Sequence, residues 1–220
     1  MEPGIDIIYL DHSLLVVNKP PGLLSLPDGY DSSVPHLRTV LEPEFGRLWI
    51  VHRLDKETSG VIILARDQES HSHINNQFEN RTVEKTYHAI VCGKLDQEFM
   101  TINSPLRSNV GRRKRSAVDP LGGKSAITEI RILERFPNTT LVEAKPMTGR
   151  THQIRVHLYS IGYPILADDL YGDDNETPII NRLALHALSI KLVHPGTGRE
   201  IIFKSQYFQD YKNALAKLRT

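Results

Sequence analysis

Short apolar runs separated by polar, Pro or Gly breaks recur along the chain. Residues 7–10 and 14–17 are two such runs around the polar turn Asp11-His12-Ser13, a pattern that predicts paired strands. Asn18-Lys19-Pro20-Pro21-Gly22 is a rigid break, because two prolines fix φ and the glycine permits a turn. Residues 27–36, rich in Pro, Gly, Asp and Ser, read as loop, and residues 48–51 as a strand. A further apolar strand at 61–65 is followed by a helix that Asp67 can cap, with Ile74 and Phe78 one turn apart. Strands are predicted at 83–91, 126–134 and 140–145, the last two joined by a Phe136-Pro137-Asn138 turn. Ile154, Leu158 and Ile161 recur at helical spacing until Gly162 ends the helix. Strands at 185–193 and 200–204 flank Pro195-Gly196-Thr197-Gly198, and an amphipathic helix over 207–218 closes the chain. Many short strands with few helices, and no internal repeat, predict an α+β fold with a mixed, mostly antiparallel sheet.

At 220 residues the chain suits one domain with a proper core, and 40% hydrophobic with 24% charged residues argues against disorder. The single cysteine, Cys92, excludes an internal disulfide and lies in a strand, where it reads as a small buried hydrophobe. No window reaches the length of a membrane span, and the acidic N-terminus does not resemble a signal peptide, so the expected location is the cytoplasm. The net charge of +1 announces no particular partner, but its distribution does: residues 103–125 hold Arg107, Arg112, Arg113, Lys114, Arg115 and Lys124 against one acid, Asp119. With Gly111, Pro120, Gly122 and Gly123 among them, this stretch reads as a basic loop or irregular hairpin suited to a phosphate backbone.

The candidate chemistry centres on His52-Arg53-Leu54-Asp55-Lys56-Glu57-Thr58-Ser59-Gly60. By charge alone this is a solvated cluster. Leu54 anchors it, Thr58-Ser59-Gly60 supplies a tight turn, and a predicted strand flanks it on each side, so Asp55 is a held carboxylate on a scaffolded loop. A reactive carboxylate needs a cation to keep it ionised and oriented, and Arg53, Arg150 and Arg155 are the candidates. Arg150 follows a break ahead of a helix, where a cation opposes the dipole and suggests a use such as holding an anion. His152 and Arg155 read equally well as solvated. Tyr87 is either a half-buried sheet aromatic or a platform for a planar ligand. The histidine spacing offers no zinc site.

These segments together resemble the RluA family of pseudouridine synthases. The resemblance rests on His52-Arg53-Leu54-Asp55 with Thr58-Ser59-Gly60, on Asn18-Lys19-Pro20-Pro21-Gly22, on Lys85-Thr86-Tyr87, on Thr148-Gly149-Arg150-Thr151-His152-Gln153-Ile154-Arg155, and on Leu185-His186-Ala187. It implies one pseudouridine synthase catalytic domain over residues 1–220, with an RNA-binding cleft and no room for an N-terminal S4 domain. It implies isomerisation of specific uridines in tRNA or large-subunit ribosomal RNA, without cofactor or metal. A monomer is the simpler expectation. Asp55 is then the nucleophile or base and Arg150 its partner. Tyr87 stacks on the flipped base, Arg53 helps to occupy the space the base leaves, and Leu185 packs beneath the site. His52 joins the RNA-binding residues, with Arg112, Arg113, Lys114 and Arg115 on phosphates. Extruding a base costs a few kcal/mol, and stacking returns about 1–3 kcal/mol per base. Two rivals remain: a non-catalytic RNA binder, and a hydrolase pairing Asp55 with Asp168 or Asp169.

Overall fold

The computed structural model describes residues 5–111, 115–172 and 179–220. In chain order its elements are β1 (Asp6–Leu10), β2 (Leu14–Lys19), α1 (Leu37–Phe45), β3 (Trp49–Ile50), β4 (Ser59–Ala65), α2 (Gln68–Glu79), β5 (Glu84–Cys92) and β6 (Phe99–Asn103). There follow β7 (Leu106–Val110), β8 (Arg115–Val118), β9 (Ile127–Arg135), β10 (Thr139–Pro146), α3 (Gln153–Ser160), β11 (Leu185–Val193), β12 (Glu200–Lys204) and α4 (Gln209–Leu218). The chain divides into two compact units. One holds residues up to Glu84 together with Ala187–Gln206; the other holds Lys85–His186 with Tyr207–Thr220.

In the first unit the strand order is β1-β2-β4-β11, with β12 on β11 and β3 on β4. Asp11 makes the first hairpin, its carboxylate accepting from the Ser13 and Leu14 amides at 2.8 Å. β2 and β4 read as unbroken apolar runs because both are buried along their length. Their antiparallel register sets Leu14 against Ala65 and Lys19 against Gly60. The loop leaving β2 and the loop entering β4 therefore emerge at the same end of the pair. Asp67 caps α2 as expected, accepting from the Ser70 amide at 2.8 Å.

Sequence periodicity passed over α1. Its signal is slight: Leu37 and Leu41 are buried one turn apart, and Pro43, a helix breaker in isolation, lies inside the helix. The strand expected over 48–51 is confined to Trp49–Ile50.

The second unit carries the antiparallel order β5-β10-β9-β6 and a separate two-stranded hairpin, β7-β8. Its core gathers Ala89, Ile90, Val91, Ile130, Val142, Leu158, Leu185 and Tyr211, covered by α3 and α4. Cys92, expected to be buried, is half-buried at the margin of this core. The basic stretch does form an irregular hairpin, with a register shift between Arg107 and Val110. The expected mixed, mostly antiparallel α+β architecture is the one observed.

Candidate active site

Asp55 is held from below by a lysine. Lys19 ends β2 and is fully buried, 0% exposed. Its ammonium donates to the carbonyls of Pro20 at 2.9 Å, Leu23 at 2.8 Å and Lys56 at 3.0 Å. Converging carbonyl dipoles of this kind help to offset the cost of burying the ammonium. The Gly22 amide adds a bond to the Lys56 carbonyl at 2.9 Å, which requires the positive φ of +82° that glycine adopts readily. On the other flank, Ser25 Oγ donates to the Leu54 carbonyl at 2.8 Å and accepts from the Leu54 amide at 3.1 Å. Leu54 is buried, the Thr58 amide closes a turn on the Asp55 carbonyl at 3.1 Å, and Asp55 itself is half-buried.

His52 and Arg53 precede it with different surroundings. His52 Nε2 accepts from the Ile63 amide at 3.0 Å, and the ring stacks on Phe78 with centroids 5.1 Å apart. The imidazole is thus used to brace β4 against α2. Arg53 is exposed.

The second unit holds Tyr87, Arg150 and Leu185. Tyr87 lies on β5 opposite Ala144 of β10, half-buried against the core. Leu185 is buried in that core at the start of β11. Arg150 lies in the loop ahead of α3, where its Nε donates to the Ser125 carbonyl at 3.0 Å.

That loop is set by Gln153, whose role the motif alone did not reveal. Its buried amide accepts from Thr148 Oγ at 2.7 Å and from the Arg150 amide at 3.0 Å. It donates to the Ile127 carbonyl at 2.9 Å and to Thr128 Oγ at 3.0 Å. One side chain therefore fixes the Thr148-Gly149-Arg150 turn against β9. His152, at a left-handed φ of 55°, caps α3, and its ring lies edge-on to Tyr171, with Nδ1 3.1 Å from the phenol.

Arg155 corrects two expectations. It is neither solvated nor available to Asp55, because Nε and one Nη hold both oxygens of buried Asp168 at 2.7 and 2.6 Å, and Asp169 lies 3.2 Å away. Asp168 also accepts from the Leu170 and Tyr171 amides. These carboxylates are an ion pair and a turn, which removes the support for the hydrolase reading.

In the basic hairpin, Arg107 pairs with Asp119 at 3.0 Å, and Arg115 is exposed on β8. Arg112, Arg113 and Lys114 lie outside the described residues. Among the described residues no group of three or more His, Cys, Asp or Glu side chains is placed to hold a metal ion, and no helix is long and apolar enough to cross a membrane.

The first unit thus presents a carboxylate on a clasped loop, and the second, described by itself, presents an aromatic on β5 and an arginine ahead of α3. Comparison with known proteins gives this a class. A sequence model of the RNA pseudouridylate synthase family matches residues 13–160. The chain is 38% identical over 211 residues to the dual-specificity RNA pseudouridine synthase RluA of Haemophilus influenzae, covering 94% of each protein. It is 40% identical over 220 residues to the ribosomal large subunit pseudouridine synthase C of Vibrio cholerae, covering 97% of this chain and 69% of that one. The solved structure of human RNA pseudouridylate synthase domain containing 4 superposes with a TM-score of 0.79 at 27% identity, covering 97% of this chain and 93% of that one. The protein is an RNA-modifying isomerase. It belongs to the RluA family of pseudouridine synthases.

Proposed function

We propose that this pseudouridine synthase modifies uridines in structured tRNA or large-subunit ribosomal RNA, with Asp55 as nucleophile or base. The observation that carries the assignment is the clasp around residues 52–58. The Lys19 ammonium, the Ser25 hydroxyl and the Gly22 amide all bind backbone on either side of Asp55. Such preorganisation is what a carboxylate needs to meet one atom of an extruded base.

Arg150 is the partner of Asp55, Tyr87 stacks on the uracil, and Leu185 supports the platform from the core. Arg53 helps to occupy the space left by the base, His52 steadies that loop beside the RNA, and Arg112, Arg113, Lys114 and Arg115 bind phosphates. The substrate range follows the relatives, one named as a dual-specificity RNA enzyme and the other as a large-subunit ribosomal enzyme. Residues 1–220 act as one catalytic domain, a reading supported by a family match that runs from the first compact unit into the second. The enzyme works in the cytoplasm as a monomer without cofactor or metal.

The test is Asp55→Asn. It is expected to fold and to bind RNA from cells lacking the gene while forming no pseudouridine. Pseudouridine formation by the folded variant would remove Asp55 from the reaction.

A further inference from the structure

Lys85 precedes Tyr87 by two positions on β5, so the two side chains project from the same face of the strand. An ammonium carries three donors. Among the described residues Lys85 uses one, a long bond of 3.4 Å from Nζ to the Thr148 carbonyl. The next residue is Gly149, where a Cβ would come within 4.0 Å of Nζ, so no side chain there competes for the space beside the ammonium. Burial pushes the Lys85 pKa down, and no charged neighbour among the described residues counters it. A lysine that only tied β5 to the Thr148 turn would have a shorter bond or a carboxylate partner to offset its desolvation. This one has neither, and it lies between the base platform and the turn that carries Arg150.

The reaction needs a cation of this kind. In the isomerisation the N1–C1′ bond breaks and its electron pair stays with the base. The base then forms the C5–C1′ bond, loses the C5 proton and takes up a proton at N1, so nothing is consumed. Negative charge is carried on the base through the steps between, and it delocalises onto the ring oxygens O2 and O4. Whether the sugar carbon is trapped by a carboxylate or passes through a glycal, and equally if a carboxylate first adds to the ring, an anionic oxygen results. A fixed charge in a partly dry site stabilises such an oxygen far better than water does.

We infer that Lys85 is a further catalytic residue, whose ammonium stabilises the negative charge that develops on a ring oxygen of the uracil during the isomerisation. The inference rests on Tyr87 carrying the base.

The experiment compares Lys85→Met, Lys85→Arg and Tyr87→Leu on a transcript spanning a uridine mapped as a target of this enzyme. Filter binding gives Kd, and single-turnover assays give the rate constant for pseudouridine formation. Lys85→Met keeps length and loses charge. It is expected to melt no lower than the native protein, to bind within about threefold, and to react at least about 100-fold more slowly. Lys85→Arg is expected to recover part of that loss. A rate for Lys85→Met within about threefold of the native enzyme overturns the proposal. So does a loss confined to Kd, which would place the ammonium on a phosphate instead. Should Lys85→Met fail to accumulate folded, Lys85→Gln carries the same comparison. Tyr87→Leu separates the premise from the inference: if it leaves binding and rate unchanged while Lys85→Met is slow, the platform assignment falls and a role for the ammonium in the chemical step stands.

Discussion

The residues that hold this site are buried and polar, and they act on backbone. Lys19 and Gln153 satisfy carbonyls and amides that would otherwise be stranded in irregular segments, one beside Asp55 and the other beside Arg150. Replacing Lys19 by Met takes the ammonium from the Pro20 and Leu23 carbonyls and leaves the Lys56 carbonyl with the Gly22 amide as its donor. An unsatisfied buried acceptor costs about 1–3 kcal/mol, partly offset by no longer burying a charge, so a net loss of roughly 2–4 kcal/mol is expected. Urea unfolding measures it, and pseudouridine formation at temperatures where the variant is folded should still fall, because the Asp55 loop loses its clasp. A variant as stable and active as the native protein would show the clasp to be dispensable. Asp55 was legible in the sequence because Leu54, the Thr58-Ser59-Gly60 turn and a strand on each side hold it, and because four other motifs accompany it; its charge pattern alone reads as a solvated cluster. Lys19 and Gln153 sat in recognised motifs, but their partners are up to 37 residues away along the chain, and residue type does not disclose them.

At the level of elements, the pairing of β2 with β4 decides where the chemistry sits. Setting Lys19 opposite Gly60 brings the Asn18–Gly22 break beside the Asp55 loop. Gly60 is constrained twice: its φ is +117°, and a Cβ would lie 2.2 Å from the Ala187 carbonyl oxygen of β11. Gly60→Ala should therefore combine backbone strain with overpacking, roughly 3 kcal/mol in all. For a chain of this size that lowers Tm by roughly 6–12 °C. Calorimetry measures the shift, and an unchanged Tm would show that β4 and β11 can part at little cost. Strand runs were readable because burial along β2 and β4 demands continuous apolar residues. Helix α1 was not, since Pro43 is a helix breaker in isolation and only packing of Leu37 and Leu41 overrides it. The start of α3 was blurred for a similar reason, because His152 enters it through a left-handed conformation that sequence does not announce.

Over the whole molecule, a net charge of +1 conceals a concentrated basic hairpin. The Arg107–Asp119 pair shows that one of its cations is already engaged, which leaves Arg112 to Arg115 as the proposed phosphate contacts. Reversing the charge of Arg113 and Lys114 should weaken RNA binding and lower the slope of log Kd against log salt by roughly 1.5–2, as two phosphate contacts are lost. Filter binding across a salt series checks this, and an unchanged slope would mark the hairpin as a solvated face. The sequence by itself determined the α+β class, the strand runs, the position of Asp55 and the RluA resemblance, because hydrophobic period and short motifs are local properties. Only the tertiary structure decided that Arg155 belongs to Asp168, that His52 braces β4, that Lys19 clasps the Asp55 loop, and that Lys85 has one weak partner among the described residues. Those outcomes depend on which distant groups share a buried space, where an unpaired charge or donor is costly, and that cost is set by the fold and not by neighbours in the chain.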